Sequence, residues 1–311
     1  MAKILITESV HPIGPELLTA AGHTVVYADR DMDIIRREIV DADAVLVRII
    51  ELPGSLLATA KNLKIVSKHG VGYDNIDLDY CKSHGIAVTI TPNANSLSVA
   101  EHAFTLMLTL AKNIIPVSNE YREIGFAAKN HAPGIEMTGK TLGLIGMGRI
   151  GKYVLHMCKD GLDMHVIVYD PYISEVPEGV EKVDDLSELL RRADVVTLHC
   201  LLTDETRKLI DRERLALMKP TALLINCARG PIVDEAALIE ALENGRLAGA
   251  GLDVTDPEPV APDSPLFKLP NVIVTPHYAP TTVESATRVS KIAAENINAV
   301  LAGQEPVGRI V

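Results

Sequence analysis

The sequence GMGRIG at Gly146–Gly151 places glycines at its first, third and sixth positions, directly after the apolar run TLGLI. That order suits a phosphate binder. Gly146 permits a tight turn, Gly148 lets the backbone approach a pyrophosphate, and Gly151 lets a following helix pack close with its N-terminus facing the anion. Asp170 lies 19 residues past Gly151, at the end of the next β-branched run. A carboxylate there accepts from both hydroxyls of a ribose and repels a 2′-phosphate. Pro171 and Tyr172 follow it, with no arginine, which favours NAD over NADP. Farther on, Arg229 in NCARGPIVDE, Glu258 in LDVTDPEP and His277 in VTPHYAP each follow a strand-like run. A guanidinium grips a carboxylate through its planar fork, an imidazole trades protons near neutrality, and a nearby carboxylate favours the imidazolium. Taken singly, each has an ordinary explanation: a capping arginine, a structural histidine, a solvated acidic turn. In an open parallel sheet, however, the carboxyl ends of the strands face the ligand crevice, so all three can converge beside a bound dinucleotide.

The elements that must position them alternate along the chain. Residues 3–7, 24–28, 44–48, 63–69 and 87–91 read as five strands with helical stretches between them, a βαβ rhythm that implies a parallel sheet covered on both faces. Residues 96–115 read as one long, mostly apolar helix, buried between domains or subunits. Residues 116–139, with Pro116, Gly125, Pro133, Gly134 and Gly139, read as a looser connection running over a surface. A second series follows at 141–146, 165–170, 195–200, 222–227, 248–254 and 272–277, with a helix at 234–245 and a last helix at 281–302. No solenoid-length repeat or low-complexity tract interrupts this order.

Composition bounds the possibilities. A chain of 311 residues suggests two domains, and 47% apolar content with no Trp and three Phe calls for aliphatic cores. A net charge of −11 supplies no basic face for nucleic acid. No apolar run of spanning length and no signal peptide is expected, so the reading is cytoplasmic with no membrane partner. Cys81, Cys158, Cys200 and Cys227 are scattered, with no CxxC, which argues for free thiols and against a metal site.

Several motifs occurring in order extend the reading over nearly the whole chain: KHGVGYDNID (68–77), TPNANSLSVAEH (91–102), GLIGMGRIGK (143–152), HCLLTDETRKLI (199–210), NCARGPIVDE (226–235), GAGLDVTDPEP (249–259) and TPH (275–277). Together they resemble the D-isomer-specific 2-hydroxyacid dehydrogenases, nearest the 3-phosphoglycerate dehydrogenase branch in a short form without its regulatory domain, so no serine feedback through such a domain is expected. The resemblance implies hydride transfer between NAD and C2 of a small 2-hydroxy or 2-oxo acid, such as 3-phosphoglycerate or hydroxypyruvate/glycerate. It implies catalytic roles for Arg229, which holds the substrate carboxylate and polarises the carbonyl, for His277 as acid/base, and for Glu258 as its partner. It further implies cofactor contacts from Gly146, Gly148, Arg149, Ile150, Gly151, Asp170, Thr203, Cys227, Ala228 and Asp253, the last at the nicotinamide carboxamide. Substrate contacts fall to Arg229 and to the backbone N–H groups of Val71 and Gly72. Arg48 and Lys68 meet a distal anion or are plain surface charges, and Asn95 lines the pocket or makes a turn. Leu201 departs from the family's usual proline, and Tyr278-Ala279-Pro280 replaces a commoner glycine-rich stretch.

The expected architecture is two doubly wound parallel-sheet domains of Rossmann or flavodoxin type with a cleft between them: a substrate domain of 1–97 plus 281–311 and an NAD-binding domain of 98–280. Crossings near 92–98 and 278–283 would form a hinge whose closure excludes water. A homodimer through 98–115 and 116–139 is expected by the same resemblance. Two alternatives stand beside it: an enzyme of the same fold acting on formate or phosphite, and an NADH-sensing corepressor. Robust turnover favours the enzyme, whereas NADH-dependent peptide binding with negligible turnover favours the corepressor.

Overall fold

Runs of Val, Ile and Leu with no charge inside them favour strands buried on both faces, and the computed structural model, which describes residues 1–311, builds two such parallel sheets. The chain divides into two compact units, one formed by Met1–Asn95 with Pro280–Val311 and the other by Ser96–Ala279.

In the first unit the elements run β1 (Lys3–Ile6), α1 (Ile13–Ala20), β2 (Thr24–Tyr27), α2 (Met32–Glu38), β3 (Ala44–Val47), α3 (Gly54–Leu57), β4 (Ile65–Lys68), α4 (Leu78–Ser83) and β5 (Ala87–Thr89). The sheet order is β2-β1-β3-β4-β5, all parallel. Side chains alternate across it, as a pleated strand requires. Ile4, Ile6, Ala44 and Leu46 face a core completed by Leu18 of α1, and Leu5, Val45 and Val47 face the opposite core with Ile35 and Leu57.

The second unit contains α5 (Ser96–Ala111), α6 (Ile114–Ile124), β6 (Thr141–Ile145), α7 (Arg149–Leu162), β7 (His165–Tyr169), β8 (Val180–Lys182), α8 (Leu186–Arg192), β9 (Val195–Leu198), α9 (Arg212–Leu217), β10 (Leu223–Asn226), α10 (Glu235–Glu243), β11 (Gly249–Leu252) and β12 (Val272–Val274). Its sheet is parallel throughout, in the order β12-β11-β10-β9-β6-β7-β8. One face packs on α5 and α7 through Leu142, Leu144, Val166 and Ile225; the other packs on α8 to α10 through Val196, Leu198, Leu224 and Leu252. Each fully buried aliphatic side chain of this kind contributes about 1.5–3 kcal/mol. The last helix is α11 (Val283–Leu301), capped by the Thr282 hydroxyl and packed on α1 and β4 of the first unit.

Three expectations need correction. The apolar helix stops at Ala111, short of residue 115, because Asn113 adopts a left-handed conformation (φ +50°), which Asn tolerates better than most residues. The stretch after residue 116 is helical: α6 runs to Ile124 and a 3₁₀ turn to Asn130. Pro116 sits in the first turn of α6, where its missing N–H has no intrahelical acceptor to lose. The apolar face of α5 is buried within its own unit, against α7, β10 and β11. The edge strand β8, with sequence VEK, carries no apolar run and escaped the pattern reading.

No helix is long and apolar enough to cross a membrane, all four cysteines are free, and no cluster of His, Cys, Asp or Glu is arranged to hold a metal.

Candidate active site

Strand order in the second unit reverses between β6 and β9: the chain winds β6-β7-β8 one way and β9-β10-β11-β12 the other. A doubly wound sheet opens its ligand crevice at such a reversal, outside the carboxyl ends of the strands. The turn after β6 lies at this point. Gly146 has φ +88°, and a Cβ there would come within 2.8 Å of the Cys200 nitrogen. At Gly151 a Cβ would stand 2.3 Å from the Gly146 carbonyl oxygen. At Gly148 it would meet nothing, so the backbone there borders open space. The first turn of α7 carries Arg149, Ile150 and no acid, and Gly148 and Arg149 are exposed. An open, positively polarised helix N-terminus of this kind fits a pyrophosphate.

Asp170 follows β7 and is half-buried. One carboxylate oxygen accepts from the Met147 N–H (2.9 Å) and the other from the Tyr172 N–H (2.9 Å), which ties the acid to the glycine turn. Below the turn, burial pushes the His199 imidazole down to about 3, so the group stays neutral while it pairs with the Thr197 hydroxyl (2.8 Å). Thr203 closes the loop after β9 by accepting from the Thr206 N–H (3.3 Å).

Arg229, Glu258 and His277 follow β10, β11 and β12, three consecutive neighbours in the sheet. Parallel strands about 4.8 Å apart bring their following loops to one edge. Asn226, 1% exposed, shapes the first of these loops: its Oδ1 accepts from the Ala228 N–H (3.0 Å) and its Nδ2 donates to the Arg229 carbonyl (2.9 Å). The Arg229 guanidinium donates back to the Ala228 carbonyl (2.8 Å), and burial raises the neighbouring Cys227 thiol well above its ordinary value. A Cβ at position 230 would lie 1.9 Å from the Thr255 carbonyl oxygen, so only glycine lets the loops after β10 and β11 touch. Glu235 braces the same junction by accepting from the Asp256 N–H (2.9 Å).

His277 has φ +52°, which is unusual for a residue with a side chain. Its Nδ1 is 2.6 Å from Glu258 Oε1. An ionised carboxylate only accepts, so Nδ1 carries the proton and Nε2 is the ring nitrogen left to exchange one. Asp253, 1% exposed, receives the Thr275 hydroxyl (2.5 Å) and the N–H groups of Tyr278 (2.7 Å) and Ala279 (2.9 Å).

The remaining named residues belong to the first unit. The loop after β4 carries the backbone N–H groups of Val71 and Gly72, for which no backbone carbonyl is the acceptor. Arg48 follows β3, and its Nη1 donates to the Ser9 carbonyl (3.2 Å). Lys68 is buried, and its ammonium donates to the Arg48 carbonyl and to Asn75 Oδ1 (2.5 Å). Glu8, which the motif reading passed over, is buried and accepts from the N–H groups of Arg48 (2.7 Å), Ile49 (2.8 Å) and Ile50 (3.2 Å). Asn95 Oδ1 and His69 Nε2 are buried without a partner. Burial and then the charge of Arg48 push His69 down to about 3. Of the residues the reading missed, Asn226 had a signal, since an Asn at a strand end favours a bond to the N–H two residues on. Glu8 and Glu235 had none, because their partners are distant in sequence.

The family model described as D-isomer specific 2-hydroxyacid dehydrogenase, NAD binding domain, matches residues 104–279, more than half of the chain. The chain is 43% identical over 308 residues to a D-3-phosphoglycerate dehydrogenase of Methanocaldococcus jannaschii, covering 98% of this chain and 58% of that protein. It is 38% identical over 319 residues to a glyoxylate reductase of Thermofilum pendens, covering 98% and 93%. The TT0316 protein of Thermus thermophilus has a similar solved structure, with TM-score 0.93, 35% identity and coverage of 99% and 100%. The chain spans a little over half the length of the D-3-phosphoglycerate dehydrogenases it matches.

Proposed function

The chain belongs to the D-isomer-specific 2-hydroxyacid dehydrogenase family, and on that footing we propose that it interconverts a small D-2-hydroxy acid and its 2-oxo acid, with NAD as its dinucleotide. The observation that carries this is the His277–Glu258 pair at the edge where the loop bearing Arg229 also ends. The residues suited to hold the dinucleotide are Gly146, Gly148, Arg149, Ile150 and Gly151 at the pyrophosphate, Asp170 at the adenosine ribose, and Thr203, Cys227 and Ala228 along the crevice. Asp253 retains a lone-pair site on Oδ2 for the carboxamide after its internal bonds are counted. When bound, the nicotinamide supplies or accepts the hydride at C2 of the acid.

The protein's own groups do the rest. Arg229 grips the carboxylate and the C2 oxygen with its fork and fixes which face of the carbonyl is presented. The N–H groups of Val71 and Gly72, in the first unit, are donors suited to an anionic oxygen. In the reductive direction His277 delivers a proton from Nε2 to the carbonyl oxygen and Glu258 stabilises the imidazolium that existed before delivery; in oxidation the proton returns. Arg48 is the candidate cation for a distal phosphate, since the Lys68 ammonium already serves Arg48 and Asn75. Asn95 completes the set of substrate-facing groups. Substrate is therefore best sought among 3-phosphoglycerate, hydroxypyruvate/glycerate and glyoxylate. The unit Ser96–Ala279 is the dinucleotide-binding domain in this reading, and Met1–Asn95 with Pro280–Val311 the substrate domain.

The test is a panel of 2-oxo acids followed at 340 nm with NADH and, separately, NADPH. NADH oxidation by at least one 2-oxo acid, with the D-2-hydroxy acid as its product, is expected. Failure of every acid while NADH still binds would sink the proposal.

A further inference from the structure

The loop that carries His277 is held by a largely buried chain of polar groups that begins on a different element and passes through the fully buried Asp253. His102, in the second turn of α5, has Nε2 3.0 Å from Thr275 Oγ1, and Thr275 Oγ1 is 2.5 Å from Asp253 Oδ1. The direction of the chain follows from chemistry. An ionised Asp253 accepts, so the Thr275 hydroxyl donates to it and takes its own hydrogen bond from His102 Nε2–H. The end of the chain lands on the loop from both sides of His277. Asp253 accepts from the Tyr278 N–H (2.7 Å) and the Ala279 N–H (2.9 Å), and the Asp253 carbonyl accepts from the His277 N–H (2.8 Å). The His102 imidazole also lies edge-on to the Tyr278 ring at 6.1 Å and 3.4 Å from the Asp253 carboxylate. One turn earlier on α5, Ser98 donates to the Ala279 carbonyl (2.6 Å).

These contacts have one mechanical consequence. His277 sits at φ +52°, a conformation that a residue with a side chain leaves unless its neighbours are pinned. Residues 275, 278 and 279 are pinned by Asp253, and Asp253 is oriented through Thr275 by His102. The Nδ1 bond to Glu258 fixes the ring, but that pair is partly exposed and does not hold the backbone.

We propose that His102 is a positioning residue that acts through Thr275 and Asp253 to hold the backbone of His277 in its productive conformation. The inference rests on the reading of His277 as the proton donor and acceptor. It gives α5 a role that the dinucleotide and carboxylate motifs do not describe. His102 touches neither reacting atom; it sets where the imidazole stands.

The experiment compares four variants in the full chain with the unmodified protein and with His277→Ala. His102→Leu and Thr275→Val break the chain. His102→Gln restores an N–H donor near the place of Nε2, and Thr275→Ser restores the hydroxyl. Breaking the chain is expected to lower kcat by about 10-fold or more, because misplacing a reacting group by about 1 Å costs up to about 10²-fold. The NADH dissociation constant should stay within about 3-fold, and a primary isotope effect with 4-deuterated NADH should rise as chemistry becomes slower. In cofactor-free protein the His277 imidazole resonances should move in the Leu and Val variants and return in Gln and Ser, along with most of kcat. If His102→Leu fails to fold, the near-isosteric Thr275→Val carries the test. Unchanged kcat in the chain-breaking variants, or no recovery in Gln and Ser with melting temperatures restored, overturns the proposal. Turnover that survives in His277→Ala overturns the reading beneath it; turnover lost there but intact in His102→Leu and Thr275→Val overturns this inference alone.

Discussion

At the scale of single residues, the acid/base role proposed for His277 gives its contact with Glu258 a worth in chemistry rather than in stability. Both partners are partly exposed, with side-chain exposures of 33% and 38%, and an ion pair in such a setting adds about 0–1 kcal/mol to folding. Its worth lies in fixing which ring nitrogen carries the proton. Glu258→Gln should therefore leave the melting temperature nearly unchanged and still cut turnover by about 10-fold or more, read from thermal melts and the 340 nm assay on the same preparation. A melting temperature that drops sharply without loss of turnover would reverse this assignment. Truncating the ring itself is more severe: His277→Ala should lower turnover by about 10²–10⁴-fold while NADH fluorescence titrations stay unchanged. Survival of turnover would remove His277 as the proton donor.

At the scale of elements, the proposed preference for NAD rests on the junction of β6, its glycine turn and β7. Asp170 accepts from the Met147 N–H of the turn, and in the proposed reading its charge opposes a 2′-phosphate. Asp170→Ala should shift the ratio of kcat/KM for NADH over NADPH downward by about 10-fold, equivalent to about 1.4 kcal/mol of discrimination. A protein that already prefers NADPH before substitution defeats this account. The other end of β6 is tied by Asp194, which accepts from the Thr141 N–H (2.8 Å) and from Lys219 Nζ (2.8 Å). Burial alone would raise its carboxyl, but the Lys219 and Thr141 bonds outweigh burial and hold it below the ordinary carboxylate range. A depressed folded value means that the unfolded chain binds the proton more readily. The stabilisation is present above about pH 4, the unfolded value, and fades as pH falls through the lower folded one. Asp194→Ala should thus cost about 1–3 kcal/mol at neutral pH and progressively less below about pH 4, as measured by urea denaturation across that range. A cost independent of pH would show that the carboxylate charge is not what ties the strand.

At the scale of the whole molecule, α6 and the turn after it present Ile114, Ile115, Tyr121, Ile124 and Phe126 to solvent, Phe126 with 73% of its surface exposed. The hydrophobic cost of leaving such a group in water is about 25 cal/mol per Å², and several exposed apolar side chains on one element point to a protein interface. We propose a homodimer through this face. Sedimentation equilibrium should return twice the 33.6 kDa chain mass, and Tyr121→Glu combined with Phe126→Glu should shift it to a monomer. A monomer before substitution, or a dimer untouched by the pair, would move the interface elsewhere or abolish it.

Much of this protein was legible in the amino-acid order because parallel sheets buried on both faces leave uninterrupted aliphatic runs, and because the glycines of a phosphate turn stand at spacings dictated by local geometry. KILI, AVLV, TLGLI and LLIN became strands for that reason, and the loops bearing Arg229, Glu258 and His277 could be placed at strand ends. The break at Asn113 and the helical character of 114–124 were less legible, since Pro116 reads as a breaker until its place in a first turn is known. The edge strand β8 left almost no pattern, because a three-residue strand exposed on one side needs no apolar run. Contacts between residues far apart in the chain were beyond sequence altogether. His102 reaches Thr275 across 173 positions, Glu8 braces Arg48 across 40, and residue 230 must lack a side chain because the Thr255 carbonyl occupies that space. Periodicity and spacing record what a residue does with its neighbours along the backbone; partners joined only by the packing of sheet and helix exist once the chain has folded.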